Sequence, residues 1–364
     1  MNLSVDKKQL AKHLAYVGGV VETKTTMAVL AHVLFEAKEG KVFLSSTDLE
    51  SSLYTSFPAN ITESGAACLP GKKLMEVVEK MPDGDIQIDL KNEQAEFGYK
   101  KGKIKIKTLP AEDFPQIPKP EDFHFRAIKS ETLEDLIKKT AYCIGADDLR
   151  KNLTGIFFDL SEVGKIRVVA TDGHRLGLTE NEIDNNILET FTLPRRAAVE
   201  IRKFIKDSEI VQIGVGKNHF ICENGQTHIL TRLVDVSFPD YKQVLPGDYK
   251  NSLRVNRKDF VDSLQRAQLV LQDKNKGAKL FLGENQIEIR TASEDGEAIE
   301  FVETSKISEN VEVGFNVKYL IDALSSFDEE EVFFSVGDEI SPACIFLQEE
   351  NRFKQLSVVM PMRV

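Results

Sequence analysis

NRKDFVDSLQRAQLV, residues 256–270, places apolar side chains three and four positions apart, a spacing typical of an amphipathic helix. Two earlier stretches have the same spacing, DKKQLAKHLAYV at 6–17 and SETLEDLIKKTAYC at 130–143. The stretches recur at intervals of about 120 residues, which is typical of an internally repeated unit. The sequence therefore predicts three copies of one structural unit, each opening with a helix.

The rest of each unit follows the same order of elements. Strand pairs are predicted after the helices, at 33–48, 155–172 and 279–295. A threonine is predicted to close the second strand of each pair: Thr47, Thr171 and Thr291. Second helices are predicted at 70–81, 194–206 and 316–327, with Pro70 and Pro194 at a first helical position. Alternating strands finish each unit, so the predicted domains are residues 1–120, 121–248 and 249–364.

Two helices and a set of antiparallel strands in every unit place the chain in the α+β class. Repeated units of this kind describe an arc. An arc either continues as an open solenoid or closes by oligomerisation. The pattern therefore predicts three similar domains and leaves open whether the ends of the arc join.

Composition excludes several classes of protein. Of the 364 residues, 41% are hydrophobic and 29% are charged, which excludes a disordered or collagen-like chain. No stretch approaches the roughly 20 consecutive apolar residues of a membrane helix, and the first residues lack the apolar region of a signal peptide. We therefore expect a cytoplasmic protein that does not contact membranes.

The cysteines and the potential catalytic residues give weak signals. Four cysteines are spread along the chain without a CxxC pair, so reduced thiols, mostly in the core, are expected: Cys68, Cys143, Cys222 and Cys344. An enzyme would use Asp172 and His174 as metal ligands or as an acid–base pair. A third ligand is missing nearby, and no HExxH, GxSxG or Walker motif is present. The sequence therefore disfavours catalysis.

The last strand of the first unit is a candidate sheet edge. In KGKIKIKTL, at 101–109, Ile104 and Ile106 share one face because side chains alternate along a strand. The opposite face carries Lys103, Lys105 and Lys107. The third unit offers an acidic counterpart in SEDGEAIEFVE, at 293–303. Either the lysines protect an exposed edge from aggregation, or the two strands pair head to tail between subunits and close a ring.

The distribution of positive charge bears on nucleic-acid binding. The net charge of −11 argues against simple electrostatic binding, but the six predicted helices together carry positive charge. If the helices line a central hole, their basic side chains would lie near duplex phosphates without reading the sequence: Lys12, Lys73, Arg195, Arg196, Arg202 and Lys203. The alternative is an ordinary solvated helix face.

Four separated motifs carry a resemblance to a known family: ATDGHRL at 170–176, FPDYKQVLP at 238–246, FNVKYL at 315–320 and VVMPMRV at 358–364. Together with the three-unit layout, they make the chain similar to the bacterial DNA polymerase III beta subunits, the sliding clamps. The resemblance covers the whole chain. It implies the DNA clamp fold, a ring-shaped head-to-tail homodimer that encircles duplex DNA and slides on it as a processivity factor of DNA replication.

The resemblance also implies partners. An ATP-driven clamp loader places such rings on primed DNA. The DNA polymerase III alpha subunit, other polymerases, ligase and mismatch-repair proteins bind them through QLxLF-type peptides. The resemblance implies no cofactor, no metal and no catalytic role, and it places the protein in the bacterial cytoplasm, on the nucleoid during replication.

In this family the partner peptide enters a cleft between the second and third domains. The matching residues in the second domain and the segment after it are Leu153, Thr171, Gly173, His174, Arg175, Leu176, Pro239 and Val244. Those in the third domain are Asn316, Tyr319, Val358, Val359, Met360, Pro361, Met362 and Arg363. Methionine is flexible and polarizable, which suits a groove that accepts different apolar anchors. We expect Arg175 and His174 to donate hydrogen bonds to peptide carbonyls.

The resemblance assigns two further sets of residues. The DNA-binding set is Lys24, Lys72, Lys73, Leu149, Arg150, Arg195 and Arg196. The dimer-interface set is Lys103, Ile104, Lys105, Ile106, Leu269, Val270, Glu297 and Glu300. Three positions depart from the family pattern: Gln243 replaces a frequent Arg, Asn275 a frequent aromatic residue and Val364 the usual Leu. These departures affect the expected partner preference. A peptide-binding scaffold that never encircles DNA remains the alternative function.

Overall fold

The fold is described from a computed structural model of the chain. The described residues are 1–22, 24–117, 123–146, 149–184, 188–245, 252–272, 276–305, 310–349 and 352–364. Both predicted domain boundaries, after residues 120 and 248, lie outside them, and so does Asn275. No helix in the described part of the chain is long and apolar enough to cross a membrane.

Within these ranges six α-helices form: α1 (Lys7–Val17), α2 (Gly71–Lys80), α3 (Ser130–Lys138), α4 (Arg195–Phe204), α5 (Arg257–Gln268) and α6 (Val317–Ser325). All six predicted helices are therefore confirmed. Pro70 and Pro194 lie one residue before their helices, which corrects the predicted position. Each is the last residue of a strand and is paired across a sheet, Pro70 with His32 and Pro194 with Gly155.

The helix predicted over 130–143 is shorter than expected. It ends at Lys138, and Ala141–Cys143 forms a 3-10 turn. The Thr140 hydroxyl donates to the carbonyl of Leu136 at 2.9 Å, and its backbone N–H donates to Ile137, three residues back, at 3.3 Å. Such tightening of the last turn is common at helix ends.

The described strands of the first half of the chain are β1 (Asn2–Asp6), β2 (His32–Lys38), β3 (Lys41–Thr47), β4 (Ser51–Pro58), β5 (Asn60–Glu63), β6 (Gly65–Pro70), β7 (Asp85–Lys91), β8 (Gln94–Tyr99), β9 (Gly102–Lys107), β10 (His124–Lys129), β11 (Gly155–Leu160), β12 (Lys165–Thr171) and β13 (Arg175–Glu182). Those of the second half are β14 (Glu189–Pro194), β15 (Ile210–Val215), β16 (His219–Glu223), β17 (Thr227–Arg232), β18 (Ser252–Asn256), β19 (Gly277–Leu282), β20 (Gln286–Ser293), β21 (Gly296–Glu303), β22 (Val311–Asn316), β23 (Glu331–Val336), β24 (Ala343–Glu349) and β25 (Arg352–Val359). Thr47 and Thr171 close β3 and β12 as predicted. Thr291 does not close β20, which continues to Ser293.

The chain folds into two compact units, and both are discontinuous. The first contains residues 1–131 and 196–233, and the second contains residues 132–195 and 234–364. The first unit has a five-stranded sheet in the order β5-β1-β7-β8-β9 and an eight-stranded sheet in the order β10-β15-β16-β17-β4-β3-β2-β6. The second unit has an eight-stranded sheet in the order β14-β11-β12-β13-β25-β24-β23-β18 and a four-stranded sheet in the order β21-β20-β19-β22.

In the first unit, α1 shows how sequence spacing becomes packing. The Asp6 carboxylate accepts the backbone N–H of Gln9 at 3.0 Å and so caps the helix. Leu10, Leu14 and Val17 then fall on one buried face, which lies against β3, β4 and α2. Burying such side chains stabilises the unit by roughly 1.5–3 kcal/mol each.

In the second unit, α5 and α6 contact each other over one continuous hydrophobic core. Asn256 caps α5 through the N–H of Asp259 at 3.0 Å, and Asn316 caps α6 through the N–H of Lys318 at 3.0 Å. The core includes the fully buried Phe260 and Phe315. This rigid packing holds the loops and strand ends that form the candidate site.

Candidate functional site

A tight turn between β12 and β13 in the second unit begins the candidate site. Thr171 donates its hydroxyl to the carbonyl of Arg175 at 2.7 Å and accepts the N–H of Gly173 at 3.1 Å. The Asp172 carboxylate accepts the N–H groups of His174 and Arg175 at 2.9 and 3.0 Å. Gly173 has a φ of +86°, a conformation that glycine adopts without steric cost. Local hydrogen bonds therefore fix the shape of this turn.

Beside this turn lies an open cavity of about 210 Å³. Predicted residues that line it are Leu153, Thr171, Gly173, Arg175, Leu176, Pro239, Val244, Val358 and Met360. Asp240 and Tyr241 also line it and were not predicted. The structure therefore brings three predicted segments together around the cavity. One wall comes from β12 and β13, one from the segment after Phe238 and one from the end of β25.

The wall at 239–245 is held by a polar network beneath it. Tyr241 is buried, and its hydroxyl donates to Asp159 Oδ2 at 2.8 Å. Arg167 donates from Nη1 to the Tyr241 hydroxyl at 3.4 Å and from Nε to Glu180 at 3.0 Å. Burial, together with the hydrogen bond to Asp159, raises the pKa of Tyr241 to about 12. Tyr241 therefore stays neutral, and it lines the cavity.

Arg175 is fixed on several sides. Its Nε donates to Asp172 Oδ2 at 3.1 Å, and its Nη1 donates to Asp322 Oδ2 at 2.6 Å. Its guanidinium lies 4.5 Å from the ring centre of Tyr319 and 5.4 Å from that of Tyr142. Burial opposes the charge, but the hydrogen bond with Asp322 raises the pKa of Arg175 above its usual value. This arrangement favours a role in shaping the cavity wall over donation to a peptide carbonyl.

Other predicted cleft residues lie beside the cavity. The rings of His174 and Tyr319 stack with centres 6.2 Å apart. Asn316 is the N-cap of α6, the helix that carries Tyr319 and Asp322. Val359 is fully buried in the core of the second unit and does not face the cavity. His174 is exposed and lies between Gly173 and Arg175 in sequence, both of which line the cavity.

Residues 360–364, which we call the strap, follow β25. The N–H of Met360 donates to the carbonyl of His174 at 2.8 Å, and the N–H of Met362 donates to the carbonyl of Gly314 at 2.8 Å. Pro361, which has no N–H, stands between them. Met360 and Met362 are 41% and 38% exposed. Met360 lines the cavity with a flexible apolar side chain, whereas Pro361, Met362 and Arg363 are not among its lining residues. Arg363 is exposed at the outer end of the strap.

Gln243 and Val364, two of the positions that depart from the family pattern, each contact identified neighbours. The Gln243 side-chain amide donates to Asp240 Oδ2 at 2.9 Å at the rim of the cavity. Val364 packs over Gly277 and Gly314 on the four-stranded sheet. Gln243 therefore lies beside a lining residue, whereas Val364 lies against the sheet outside the cavity.

The predicted DNA-contact residues of the first unit differ in exposure and in ion pairing. Lys24 and Lys72 are exposed, and Lys73 is exposed with Glu76 at 3.9 Å. Arg196 is different: its guanidinium donates to the carbonyl of Gly19 at 3.0 and 3.1 Å and forms ion pairs with Asp48 and Glu22. Most of its charge is thus compensated within the unit.

Further basic residues of the first unit are also paired. Lys12 lies 3.0 Å from Asp207, and Lys203 lies 2.6 Å from Glu200. Arg202 also takes part in local interactions. In the second unit, Leu149 is 92% exposed, and Arg150 and Arg195 are exposed. The predicted basic surface therefore has exposed members in each unit.

The predicted interface strand of the first unit lies at a sheet edge. β9 pairs with β8, and among the described residues no strand pairs with its other side. Ile106 is buried and Ile104 is half-buried on one face, while Lys103 and Lys105 are exposed on the other. Both lysines contact Glu96, at 3.4 and 3.0 Å. The predicted alternation is confirmed.

The predicted interface residues of the second unit lie on and beside β21, an edge strand of the four-stranded sheet as described. Glu297 is exposed on one face, whereas Glu300 lies on the other and accepts Arg266 Nε at 3.0 Å. Leu269, just after α5, is 83% exposed, and Val270 is half-buried. Leu269 is thus an exposed apolar side chain beside an edge strand.

The structure gives no support to the catalytic interpretation. Asp172 is engaged by backbone N–H groups and by Arg175, and the described residues contain no group of three or more His, Cys, Asp or Glu side chains that could hold a metal ion. All four cysteines are buried and unpaired, as predicted. Burial raises the pKa of Cys143, so this thiol stays protonated beside Arg175.

Comparison with protein families gives three matches that follow the chain in order. The DNA polymerase III beta subunit N-terminal domain matches residues 1–118, its central domain matches residues 127–240, and its C-terminal domain matches residues 242–363. A protein named beta sliding clamp from Pseudomonas aeruginosa is 31% identical over 372 residues, covering 100% of both chains.

Solved structures give the same result. A DNA polymerase III beta subunit from Thermotoga maritima has a TM-score of 0.93 and 26% identity, covering 100% of this chain and 99% of that one. A sliding clamp from Bartonella birtlesii, determined bound to griselimycin, has a TM-score of 0.93 and 31% identity, covering 100% of both chains.

Proposed function

The chain belongs to the DNA polymerase III beta subunit family, the beta sliding clamps, and from this premise we propose which of its residues bind peptide, DNA and a second copy of the chain. As a member of the family it is a non-catalytic processivity factor of DNA replication.

We propose that the cavity beside the Thr171–Leu176 turn receives the apolar side chains of a QLxLF-type partner peptide. The observation that carries this proposal is the lining: Leu153, Leu176, Val244 and Val358 supply a mostly apolar surface, with few polar groups at the rim. Met360 can adjust its rotamers to different leucine or phenylalanine anchors. A relative 31% identical to this chain binds griselimycin, which supports a small-ligand site in the family.

We propose that two copies of the chain form a head-to-tail ring around duplex DNA. Exposed Lys24, Lys72, Lys73, Arg150 and Arg195 would contact phosphates without reading the bases, and such contacts weaken as salt rises. The ion pairs of Arg196 reduce its expected contribution. The net charge of −11 repels DNA from other surfaces and favours a sliding contact over tight adhesion.

For the ring closure we propose that β9 of one copy meets β21 and the end of α5 of the other. The support is that β9 and β21 are edge strands with opposite charge and that Leu269 is exposed. Such a contact is heterologous and closes only if its geometry returns on itself. Lys103 and Lys105 already contact Glu96, so we expect the apolar residues to contribute more than the charges.

The partner proteins follow from family membership. We propose the clamp loader, the DNA polymerase III alpha subunit, other polymerases, ligase and mismatch-repair proteins, the last four through QLxLF-type peptides in the cavity. We also propose domains at 1–120, 121–248 and 249–364 and a cytoplasmic, nucleoid-associated location, since bacterial DNA replication takes place there.

The ring proposal is tested by topology. The protein is loaded on nicked circular plasmid with a clamp loader and ATP, separated from free protein and measured again after the plasmid is linearised. Release on linearisation supports encirclement. Retention on linear DNA would mean direct adhesion, and failure to load with a loader that is active on another clamp would favour the peptide-binding scaffold.

The interface proposal is tested by a matched pair of substitutions. Leu269 and Ile340 are both 83% exposed, but only Leu269 lies in the proposed interface. Leu269→Asp should raise the dimer dissociation constant by at least about tenfold, whereas Ile340→Asp should leave it unchanged. Sedimentation equilibrium measures both, and equal effects would contradict the assignment.

A further inference from the structure

The strap at 360–364 reaches from the cavity to the edge of the four-stranded sheet within the second unit. Its first fixed point is the bond from the Met360 N–H to the carbonyl of His174, and its second is the bond from the Met362 N–H to the carbonyl of Gly314. β22, which carries Gly314, is an edge strand in the sheet as described. The strap therefore uses backbone groups that this edge leaves available.

Two glycines lie under the second fixed point. In the pairing of β19 with β22, Gly277 is opposite Asn316 and Lys279 is opposite Gly314, so both glycines lie on one face of the sheet. A Cβ on Gly314 would lie 2.4 Å from the Met362 carbonyl oxygen and 2.7 Å from Val364 Cγ2. A Cβ on Gly277 would lie 2.7 Å from Val364 Cγ2. All three distances are too short for a real Cβ contact, so atoms of the strap would have to shift.

The two clashes differ in kind. At Gly277 they involve the Val364 methyl groups and, at 3.5 Å, the end of the Met362 side chain, which can move or be removed. At Gly314 the closest atom is a backbone oxygen, so a side chain there displaces the strap itself. Neither glycine has a positive φ, so the requirement is for space and not for backbone conformation.

We propose that Gly277 and Gly314 are positioning residues for the peptide cavity: their missing side chains form a notch that seats the strap and so holds Met360 against the cavity. The inference rests on the proposed peptide-binding function. Met360 lines the cavity, while both glycines lie outside it. They act through the strap, because two fixed points determine where the Met360 side chain can lie.

The physical effect of the notch is pre-organisation. A seated strap presents Met360 without further ordering, whereas a displaced strap must be ordered when the peptide binds. Each lost backbone hydrogen bond also removes roughly 0.5–1.5 kcal/mol of stabilisation from the strap. We therefore expect weaker peptide binding with little change in the stability of the unit, since the strap lies at the surface.

The test measures binding of a fluorescein-labelled QLSLF peptide to the full chain by anisotropy. Gly314→Ala should raise the peptide dissociation constant by about tenfold, and Gly277→Ala by about threefold. Gly283→Ala is the matched control, because a Cβ on this glycine, which directly follows β19, would meet its nearest atom at an ordinary 3.5 Å. Its dissociation constant should equal that of the unsubstituted chain.

A rescue experiment separates positioning from general destabilisation. Val364→Ala removes the methyl groups that obstruct a Cβ on Gly277, so the double variant Gly277→Ala/Val364→Ala should bind the peptide about as well as Val364→Ala alone. The same substitution cannot rescue Gly314→Ala, because the Met362 carbonyl remains in place. Equal rescue in both backgrounds, or in neither, would overturn the proposal.

Hydrogen exchange measured by mass spectrometry gives a readout that needs no peptide. The Met362 amide should exchange faster in Gly314→Ala than in Gly283→Ala, because its bond to Gly314 is lost. If the unsubstituted chain fails to bind QLSLF while this exchange difference is present, the proposed function fails and the notch stands. If the peptide binds and both the affinity and the exchange of Gly314→Ala are unchanged, the notch is wrong.

Discussion

The turn at 47–52 in the first unit and the turn at 171–176 in the second have the same hydrogen bonds. Thr47 donates to the carbonyl of Ser51 at 3.0 Å and accepts the N–H of Leu49 at 3.1 Å. Asp48 accepts the N–H groups of Glu50 and Ser51 at 3.0 and 2.6 Å. Thr171 and Asp172 make the equivalent bonds around Gly173.

The correspondence extends beyond the turns. Asp48 forms an ion pair with Arg196, and Asp172 forms one with Arg175. A backbone N–H also closes each turn: that of Arg232 donates to Glu50 at 2.9 Å, as that of Met360 donates to His174 at 2.8 Å. Two regions of low sequence identity thus share one backbone design.

The difference lies at the left-handed position. Leu49 has a φ of +75° and is 59% exposed, whereas Gly173 has a φ of +86° and lines the cavity. The first turn tolerates a strained leucine because its side chain points to solvent. The second requires glycine because the space beside it belongs to the cavity. The hydrogen bonds determine the backbone shape of both turns. The residue at the left-handed position determines whether the space beside the turn is open.

The largest effect on peptide affinity is expected from replacing Gly173 of the second turn with leucine, the residue at the same position of the first turn. Gly173→Leu adds a side chain at a positive φ, with its Cβ 2.7 Å from Arg150 Nη1. The leucine should occupy the cavity mouth and weaken binding of a QLSLF peptide by about a thousandfold. Fluorescence anisotropy measures this loss. Unchanged affinity would show that the peptide binds elsewhere.

Removing the carboxylate from either turn should have the next largest effect. Asp48→Ala and Asp172→Ala each leave two N–H groups without their acceptor and remove one of the ion pairs of a guanidinium, and each should lower the free energy of unfolding by about 3 kcal/mol. Urea titration measures the loss. Only Asp172→Ala should also weaken peptide binding, because Arg175 shapes the cavity wall. Weaker peptide binding in both variants would contradict the prediction that only the second turn shapes the peptide cavity.

The first helices of the first and second repeats, α1 and α3, should differ in how they make stability depend on pH. In α1 the third residue after Leu10 is His13, whose Nδ1 lies 2.6 Å from Thr55 Oγ1, whereas in α3 the third residue after Leu133 is Leu136. Burial lowers the pKa of His13 from 6.5 to about 4. The folded state therefore favours neutral His13, and its contribution to stability is complete above pH 6.5 and decreases as pH falls toward 4.

Between pH 7 and pH 4.5 this histidine should cost about 2 kcal/mol of unfolding free energy. His13→Leu copies the residue of α3 and should remove that part of the pH dependence. Urea titrations of both proteins at the two pH values measure the difference. An identical pH dependence in the variant would show that folding does not lower the pKa of His13.

The smallest effect is expected from the reverse exchange in the first turn. Leu49→Gly relieves a strained φ at a gain of about 1–2 kcal/mol, partly offset by the greater freedom of glycine in the unfolded chain. We expect a net gain below about 1 kcal/mol and no change in peptide affinity. Leu49→Ala removes the exposed side chain but keeps the strained φ, so its thermal unfolding temperature should not rise as that of Leu49→Gly does.

Much of this arrangement could be predicted from the sequence, because local spacing determines it. Leu10, Leu14 and Val17 form the buried face of α1 that their spacing predicts. Ile104 and Ile106 lie on the predicted face of β9. Pro70 was misplaced by one residue because a sheet pairing, invisible to local spacing, keeps it extended.

The remaining features depend on residues far apart in the chain. Tyr241 faces the cavity because Asp159, on β11, accepts its hydroxyl, and no local pattern indicates that bond. Arg196 was predicted to contact DNA, yet its charge is largely compensated by Asp48, which lies 148 residues away in sequence. Gly314 carried no sequence signal, because a glycine in a strand does not reveal what packs over it.

The discontinuous units have a consequence for fragments of the chain. β4 lies between β3 and β17, and its pairing of Ser51 with Thr231 joins residues 180 positions apart. A fragment of residues 1–120 would lack β17 and leave β4, SSLYTSFP, as a bare edge without a single charge. Such an edge is a template for aggregation. Separated at its linkers, the first repeat would be an aggregation-prone fragment and not a small clamp domain.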